Sequence, residues 1–252
     1  MKTIWQGTIS FGLVSIPIKI FPAINHKSAN FKLVHKKDNG KIRYKRFCEE
    51  DGQEVPWEDI SKVLEISKGK YYTLSREELD KIKPEKTQSI EIREFVNLSH
   101  IDPIFFDAHY YLSPSKEKNK AFFLLKQVLQ QTGKAAVGRF VMREKEYTAV
   151  ISSYKSGLLL TTLNYQYEIR DINDIEELKQ VPAINKEERE LAEKLIQQLT
   201  REHLDMDKYK DTFGEQLKEL IKKKEKGEPI AGKKIAGKKE ENLIIALKKS
   251  LK

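Results

Sequence analysis

Trp5-Gln6-Gly7-Thr8-Ile9-Ser10-Phe11-Gly12-Leu13-Val14-Ser15-Ile16-Pro17-Ile18-Lys19-Ile20 is the stretch whose patterning bears most directly on the fold. From Trp5 to Leu13 the odd positions are Trp, Gly, Ile, Phe and Leu, and the even ones Gln, Thr, Ser and Gly. Such a period of two marks a strand with one buried face. From Val14 the parity flips, with Val14, Ile16, Ile18 and Ile20 as the apolar positions. A strand cannot change faces without an extra residue, so the pattern predicts one strand with a bulge or bend near Val14-Ser15. Pro17 has no ladder donor and is expected at an edge or at that irregularity. A bent strand so early in the chain predicts a barrel or strongly coiled sheet built on it.

Working outward, Phe31 to Phe47 reads as a hairpin around Asp38-Asn39-Gly40, because Asn-Gly is the preferred two-residue type I′ turn. That turn would set Asp38 opposite Lys41, Lys36 opposite Arg43 and Val34 opposite Lys45. One face of the ribbon then carries Lys32, Lys36, Lys41, Arg43 and Lys45, while Phe31, Leu33, Ile42 and Tyr44 lie on the other. Like charges opposed across a ladder destabilise it by about 0.2–1 kcal/mol. Such a face is either a seat for an anion or a solvated outer face of a sheet.

Further along, Ser75-Arg76-Glu77-Glu78 is a capping box opening a short helix with Leu79 and Ile82, stopped by Pro84. Ile90 to Val96 and Ile104 to Leu112 read as extended. Lys116 to Gln131 is an amphipathic helix with Ala121, Phe122, Leu125, Val128 and Leu129 on one face and Gly133 as its C-cap. Ala135 to Arg143 alternates, with Arg139 and Arg143 on the face opposite Phe140 and Met142; the two arginines are phosphate contacts or surface residues over a core strand. Tyr147 to Tyr154 and Leu158 to Leu163 flank a turn at Lys155-Ser156-Gly157. Asn185-Lys186-Glu187-Glu188 caps a helix with a stripe of Leu191, Leu195, Ile196 and Leu199, expected to be buried, and a second helix runs near Gly214 to Lys224. Two five-residue copies, Ile230 to Lys234 and Ile235 to Lys239, describe a flexible polycationic linker that includes Lys233, Lys234, Lys238 and Lys239. Beyond it Leu243, Ile244, Leu247 and Leu251 fall on one side of a closing helix too short to be stable alone, which must dock on a partner or on the chain's own body.

The chain has 252 residues, 39% of them apolar and 34% charged, enough to bury a core in one large domain with an appendage or in two domains. Its formal charge is +9, and the segment from Glu215 to Lys252, with twelve lysines against six acids, carries +6 of it. An anionic partner fits that balance, nucleic acid first and anionic membrane second. One cysteine, Cys48, excludes an intrachain disulfide and fits a reducing compartment. No apolar run reaches 18 residues and no signal peptide is evident, so an intracellular, soluble protein without a membrane partner is expected. No Gly-rich phosphate loop, Gly-x-Ser-x-Gly, His-Glu-x-x-His or Cys-x-x-Cys occurs, the five histidines are scattered, and Cys48 lacks partners for zinc. Asp102 and Asp107 are the nearest approach to nuclease carboxylates and read better as loop acids that cap or turn. A binding protein without cofactor or metal is therefore expected rather than an enzyme.

Collinear segments carry a resemblance to a known family. Ile4-Trp5-x-Gly7-x-Ile9-Ser10-Phe11-Gly12-Leu13-Val14 with Ile16-Pro17-Ile18-Lys19 resembles the opening of bacterial Ku proteins, as do Ile42-Arg43-Tyr44-Lys45-Arg46, Ile90-Glu91-Ile92-x-Glu94-Phe95-Val96, Ile101 to Asp107, Tyr110-Tyr111-Leu112 and Gly138-Arg139-Phe140-Val141. The segment Asn242 to Leu251 looks like the end of the longer members. One departure is Cys48-Glu49-Glu50-Asp51-Gly52, where many relatives have Cys-x-x-Cys-Gly. The resemblance implies an α+β fold: an antiparallel β-barrel core with a ribbon-like DNA-encircling arch, peripheral helices, a C-terminal helical arm and a flexible basic tail. Expected boundaries are 1–180 for core and arch, 181–225 for the arm and 226–252 for linker and closing helix. It also implies a homodimeric ring that threads onto double-stranded DNA ends and recruits an ATP-dependent end-joining DNA ligase, in a bacterial cytoplasm at the nucleoid. On charge geometry the expected DNA contacts are Lys32, Lys36, Lys41, Arg43, Lys45, Arg139 and Arg143, the tail lysines, and Lys19 as the only charge in the opening stretch. Leu243, Ile244, Leu247 and Leu251 are the expected partner-binding set. Competing readings are a non-specific nucleoid or RNA-binding protein acting through its lysine tail, a metal-dependent nuclease, and a scaffold meeting anionic lipid.

Overall fold

The structure, a computed structural model, describes residues 1–25, 29, 31–61, 63–82, 88–228 and 243–251. It divides into two compact units, the first running through Arg170 and the second from Asp171. In the first unit the strands are β1 (Trp5–Phe11), β2 (Val14–Pro22), β3 (Val63–Ser67), β4 (Lys70–Thr73), β5 (Ser89–Asn97), β6 (Phe106–Pro114), β7 (Lys134–Met142), β8 (Lys145–Tyr154) and β9 (Gly157–Leu163). Its helices are α1 (Arg76–Ile82) and α2 (Lys120–Thr132). The second unit holds α3 (Lys186–Leu199), α4 (Thr212–Glu225) and α5 (Leu243–Ser250).

The opening stretch is two strands, not one bent strand. Gly12 and Leu13 form a two-residue turn that sets Phe11 opposite Val14, Ile9 opposite Ile16 and Trp5 opposite Ile20. In this register odd positions of β1 face even positions of β2, so the parity flip marks a hairpin and needs no bulge. Gly12 has φ +55°, the positive value a type II′ turn requires at its first central residue. A β-branched side chain there meets the left-handed penalty of about 1–2 kcal/mol, and Gly12→Val is expected to lower unfolding stability by that amount in urea titration. Pro17 lies within β2. Its carbonyl accepts from the Ser115 amide at 3.0 Å, so its ring nitrogen faces the same side, where the ladder with β6 has already ended at Ile18 and Pro114.

The strands close in the order β1-β2-β6-β9-β8-β7-β5, and all pairings are antiparallel except the last, β5 on β1. The antiparallel expectation is thus corrected at one seam, where Thr8, Ile9 and Ser10 run parallel to Ser89, Ile90 and Glu91. Register carries the lumen around the barrel: Ile20, Leu112 and Leu158 are successive partners, as are Leu160, Ile151 and Ala136. All six are 3% exposed or less. Each large aliphatic side chain so buried contributes about 1.5–3 kcal/mol relative to exposure. At one end of the barrel Phe140 is packed edge-on by Trp5 at 5.9 Å and by the tilted ring of Tyr147 at 5.7 Å. The Trp5 indole N–H donates to the Val141 carbonyl at 3.0 Å, so the half-buried ring packs on the core with its polar atom satisfied.

Helix α2 carries the chain from β6 past β9 and β8 to β7. It starts four residues later than the apolar pattern suggested, because the Asn119 side chain accepts from the Phe122 amide at 3.1 Å and makes Asn119 the N-cap. It stops as predicted at Gly133, whose φ of +65° suits a left-handed C-cap. Phe122, Leu125 and Leu129 join the lumen residues in one core, so the helix lies across the barrel end formed by the β1–β2 and β8–β9 turns.

In the second unit the Asn185 and Glu188 capping box is present, with both bonds within 3.0 Å, and Asp211 caps α4. The expected buried stripe on α3 is not buried. Leu191 and Leu195 are half-covered, while Ile196 and Leu199 are 65% and 64% exposed. The helix packs against α5, whose eight residues are too few to cover fourteen. Among the described residues no helix is long and apolar enough to cross a membrane.

Candidate nucleic-acid interface

Between β2 and β5 the chain leaves the barrel, and from Phe31 to Ile82 no described residue is buried. Residues 31–47 of this excursion hold seven Lys or Arg against one acid, Asp38. The predicted ribbon through them is not formed. Val34 bridges Lys41 rather than Lys45, and the next bridge is Phe47 with Glu54. Asp38 is the reason. Its carboxylate accepts from the Gly40 amide at 2.8 Å and from the His35 ring at 2.9 Å, while the His35 carbonyl accepts from the Asn39 amide at 2.8 Å. These bonds close a loop over residues 35–40, with Asn39 at φ 56°, in place of a two-residue turn. The Gly40 amide, and after it His35, holds the Asp38 carboxyl below its ordinary range. Lys36 is then carried into the loop and never faces Arg43, which removes the like-charge opposition of the predicted register.

Lys32, Lys36, Lys41 and Arg43 are exposed, and none forms an ion pair among the described residues. They share a segment, not a ladder face. Lys45 differs, since its ammonium sits 2.6 Å from Glu54 across the second bridge. Two further cations of the segment were not singled out from sequence. Lys37 stands exposed in the 35–40 loop, and the Arg46 guanidinium lies 4.4 Å over the Trp57 ring, an exposed cation–π pair worth about 0.5–1 kcal/mol. Cys48 is a free thiol.

The remaining predicted contacts sit on the barrel. Arg139 points outward from β7 and reaches Glu146 on the neighbouring strand at 3.5 Å. Arg143 is not in the strand, which ends at Met142; with Glu144 it forms the β7–β8 turn, at φ 51° and 67°. Two bulky charged residues in left-handed conformations cost about 1–2 kcal/mol each, so Arg143 is displayed from a strained corner. Burial pushes the Tyr110 hydroxyl up, aided by Tyr147 and Asp107 and opposed by Arg143; that arginine follows Val141, whose carbonyl takes the Trp5 indole N–H, and so belongs to the Trp5 end of the barrel. Lys19 is half-buried on the outward face of β2, between Gln6 and Ser113. Lys233, Lys234, Lys238 and Lys239 lie outside the described residues. Leu243 is 58% exposed on α5, while Ile244, Leu247 and Leu251 are half-covered. This helix docks on α3, where Lys248 meets Glu187 at 2.8 Å.

Neither aspartate of the nuclease reading is gathered into a metal site. Asp102 caps a short turn by accepting from the Ile104 amide at 3.1 Å, and Asp107 accepts from the Thr162 hydroxyl at 3.0 Å. Among the described residues no group of three or more His, Cys, Asp or Glu could hold a metal ion.

The fold is thus a closed barrel whose exposed cationic excursion departs from β2 and returns at β5, the two strands that flank β1. Residues 10–191 match the family described as the Ku70/Ku80 beta-barrel domain, and the chain belongs to the Ku family. A protein of Archaeoglobus fulgidus named non-homologous end joining protein Ku is 38% identical over 252 residues, covering 100% of this chain and 98% of that one. Proteins of the same name from Heliobacterium modesticaldum and Mycobacterium tuberculosis are 38% and 34% identical, covering 91% and 90% of this chain and 83% and 84% of theirs. Members of this family are scaffolds rather than catalysts, and the chain is not an enzyme.

Proposed function

We propose that this protein binds double-stranded DNA ends without sequence preference and acts in repair by non-homologous end joining. The observation that carries this reading is the segment 31–47, with its seven cations, no buried residue and a single acid. Lysine and arginine displayed in this way bind phosphates through counterion release and read no bases. In this reading two copies form a ring around the duplex, with Lys32, Lys36, Lys41 and Arg43 as its principal phosphate contacts and Arg139, Arg143 and Lys19 as secondary ones. Residues 181–225 serve as an arm and 226–252 as a basic tail that adds affinity for DNA. Of the set Leu243, Ile244, Leu247 and Leu251, the exposed Leu243 is left for a partner while the other three are half-covered on the helix that docks on α3, and an ATP-dependent ligase is the enzyme recruited to the bound end. The site of action is the bacterial or archaeal nucleoid.

Threading distinguishes this reading from non-specific coating of DNA. A linear duplex is expected to bind far more tightly than the same duplex ligated into a circle, compared by gel shift at matched salt. Equal affinity for the two forms would refute a ring that loads at ends.

A further inference from the structure

We propose that the cleft between α2 and the β1–β2 turn is a docking groove for an acidic amphipathic helix of a protein partner. The cleft has a volume of about 450 Å³ and its wall is almost wholly apolar, with Phe11 and Phe95 on the barrel side and Leu124 and Val128 on the helix side. Phe95, Val128 and Leu124 remain 43%, 44% and 57% exposed. They neighbour one another in a single groove, unlike scattered surface apolar residues, which need no explanation. The core is already closed beneath them by Phe122, Leu125 and Leu129, so burial of the barrel interior does not account for this second row on the same helix.

Charge selects the occupant. From residue 115 to 134 the chain carries Lys116, Lys118, Lys120, Lys126 and Lys134 against Glu117 alone. None of the five lysines forms an ion pair among the described residues. Lys134 lines the cleft, and Lys120 opens the same helix one turn before Leu124. The distance from Lys120 to Thr132 along α2 is about 18 Å at 1.5 Å per residue, the length of a three-turn helix laid alongside. A helix in such a groove presents side chains at i, i+3, i+4 and i+7. Apolar residues at those positions would fill the cleft, and carboxylates at both ends would meet the two lysines. A DNA backbone is a poor match, because an apolar wall offers no donors to phosphate and desolvates the charge at a cost.

Two synthetic fluorescent peptides, each roughly three to four helical turns long, test this on the full-length protein by anisotropy. One has Leu at i, i+3, i+4 and i+7 with Glu elsewhere; the other replaces each Glu by Lys. The acidic peptide is expected to bind and the basic one not. Leu124→Glu with Val128→Glu should weaken acidic-peptide binding by about tenfold or more, as loss of a buried anchor does, with linear-duplex affinity and the thermal melt unchanged. Lys120→Glu with Lys134→Glu leaves the apolar wall intact and should transfer preference to the basic peptide. The proposal is overturned if both peptides bind the unmodified protein equally, if neither binds, or if neither pair of substitutions alters binding. It is also overturned if Leu124→Glu with Val128→Glu converts a dimer into a monomer in sedimentation, since the groove would then be a contact between copies of this chain. Displacement of the acidic peptide by anionic vesicles, with the same dependence on Leu124 and Val128, would likewise make the occupant a lipid surface and reject the helix.

Discussion

Replacing Lys36, Lys41 and Arg43 together by Gln is expected to lower affinity for a linear duplex end by about a thousandfold or more near physiological salt, with the fold intact. The three side chains are exposed and unpaired among the described residues, so their loss leaves no buried charge behind. Each phosphate contact contributes about 0.9 to the slope of log affinity against log salt. A homodimer makes each substitution twice, so the slope should fall by about 5, whereas a single protomer on the duplex would lose about 3. Titrating the complex with salt between low and moderate ionic strength measures this directly. A loss of less than about 1 in slope would remove the segment from the interface. Lys45→Gln alone serves as a comparison. Its ammonium already faces Glu54 at 2.6 Å, so it should change the slope least of the cations in the segment.

Phe140→Ala is expected to destabilise the protein by about 3–5 kcal/mol, the range for removing a buried aromatic ring. Phe140 is 2% exposed and holds the contacts of both Trp5 and Tyr147. In a chain of this size the loss should lower the melting midpoint by about 6–20 °C, readable by calorimetry. Surface charge at the 31–47 segment is untouched, so the variant should still bind DNA ends below its new midpoint. A stability change under about 1 kcal/mol would mean that the ring is not the keystone of that barrel end.

Where one face meets the core, the sequence already carries the answer. Phe140 and Met142 alternate with Arg139 and Val141, and the strand lies as that pattern says, because burial rewards a period of two. Asn119 and Asn185 show how local bonds set helix starts that apolar spacing alone places loosely. The parity flip at Val14 has two physical solutions, a bulge or a two-residue hairpin. Gly12 distinguishes them, but only if its need for positive φ is weighed together with the flip. The excursion was far harder to read. Val63–Thr73 has no buried side, so β3 and β4 leave no alternation to find. Asn39-Gly40 signals a tight turn, yet the Asp38 carboxylate one residue earlier takes the Gly40 amide and widens it. The cations there are evident from composition; their geometry depends on side-chain bonds that spacing does not encode. The parallel seam between β1 and β5 is likewise silent, because it joins residues some eighty positions apart.

That seam gives the cationic excursion an unusual freedom. The chain departs from β2 and returns at β5, and both strands flank β1, so the ends of the excursion are fixed near each other by the barrel whatever lies between. In polymer terms it is a closed loop, and doubling such a loop costs only about 0.6 kcal/mol of closure entropy. Evolution or an engineer can therefore lengthen or shorten the reach of the polyanion-binding segment while the barrel keeps its stability. The cost falls instead on folding time, since the barrel cannot close until the whole excursion has been synthesised and β5 has found its distant parallel partner.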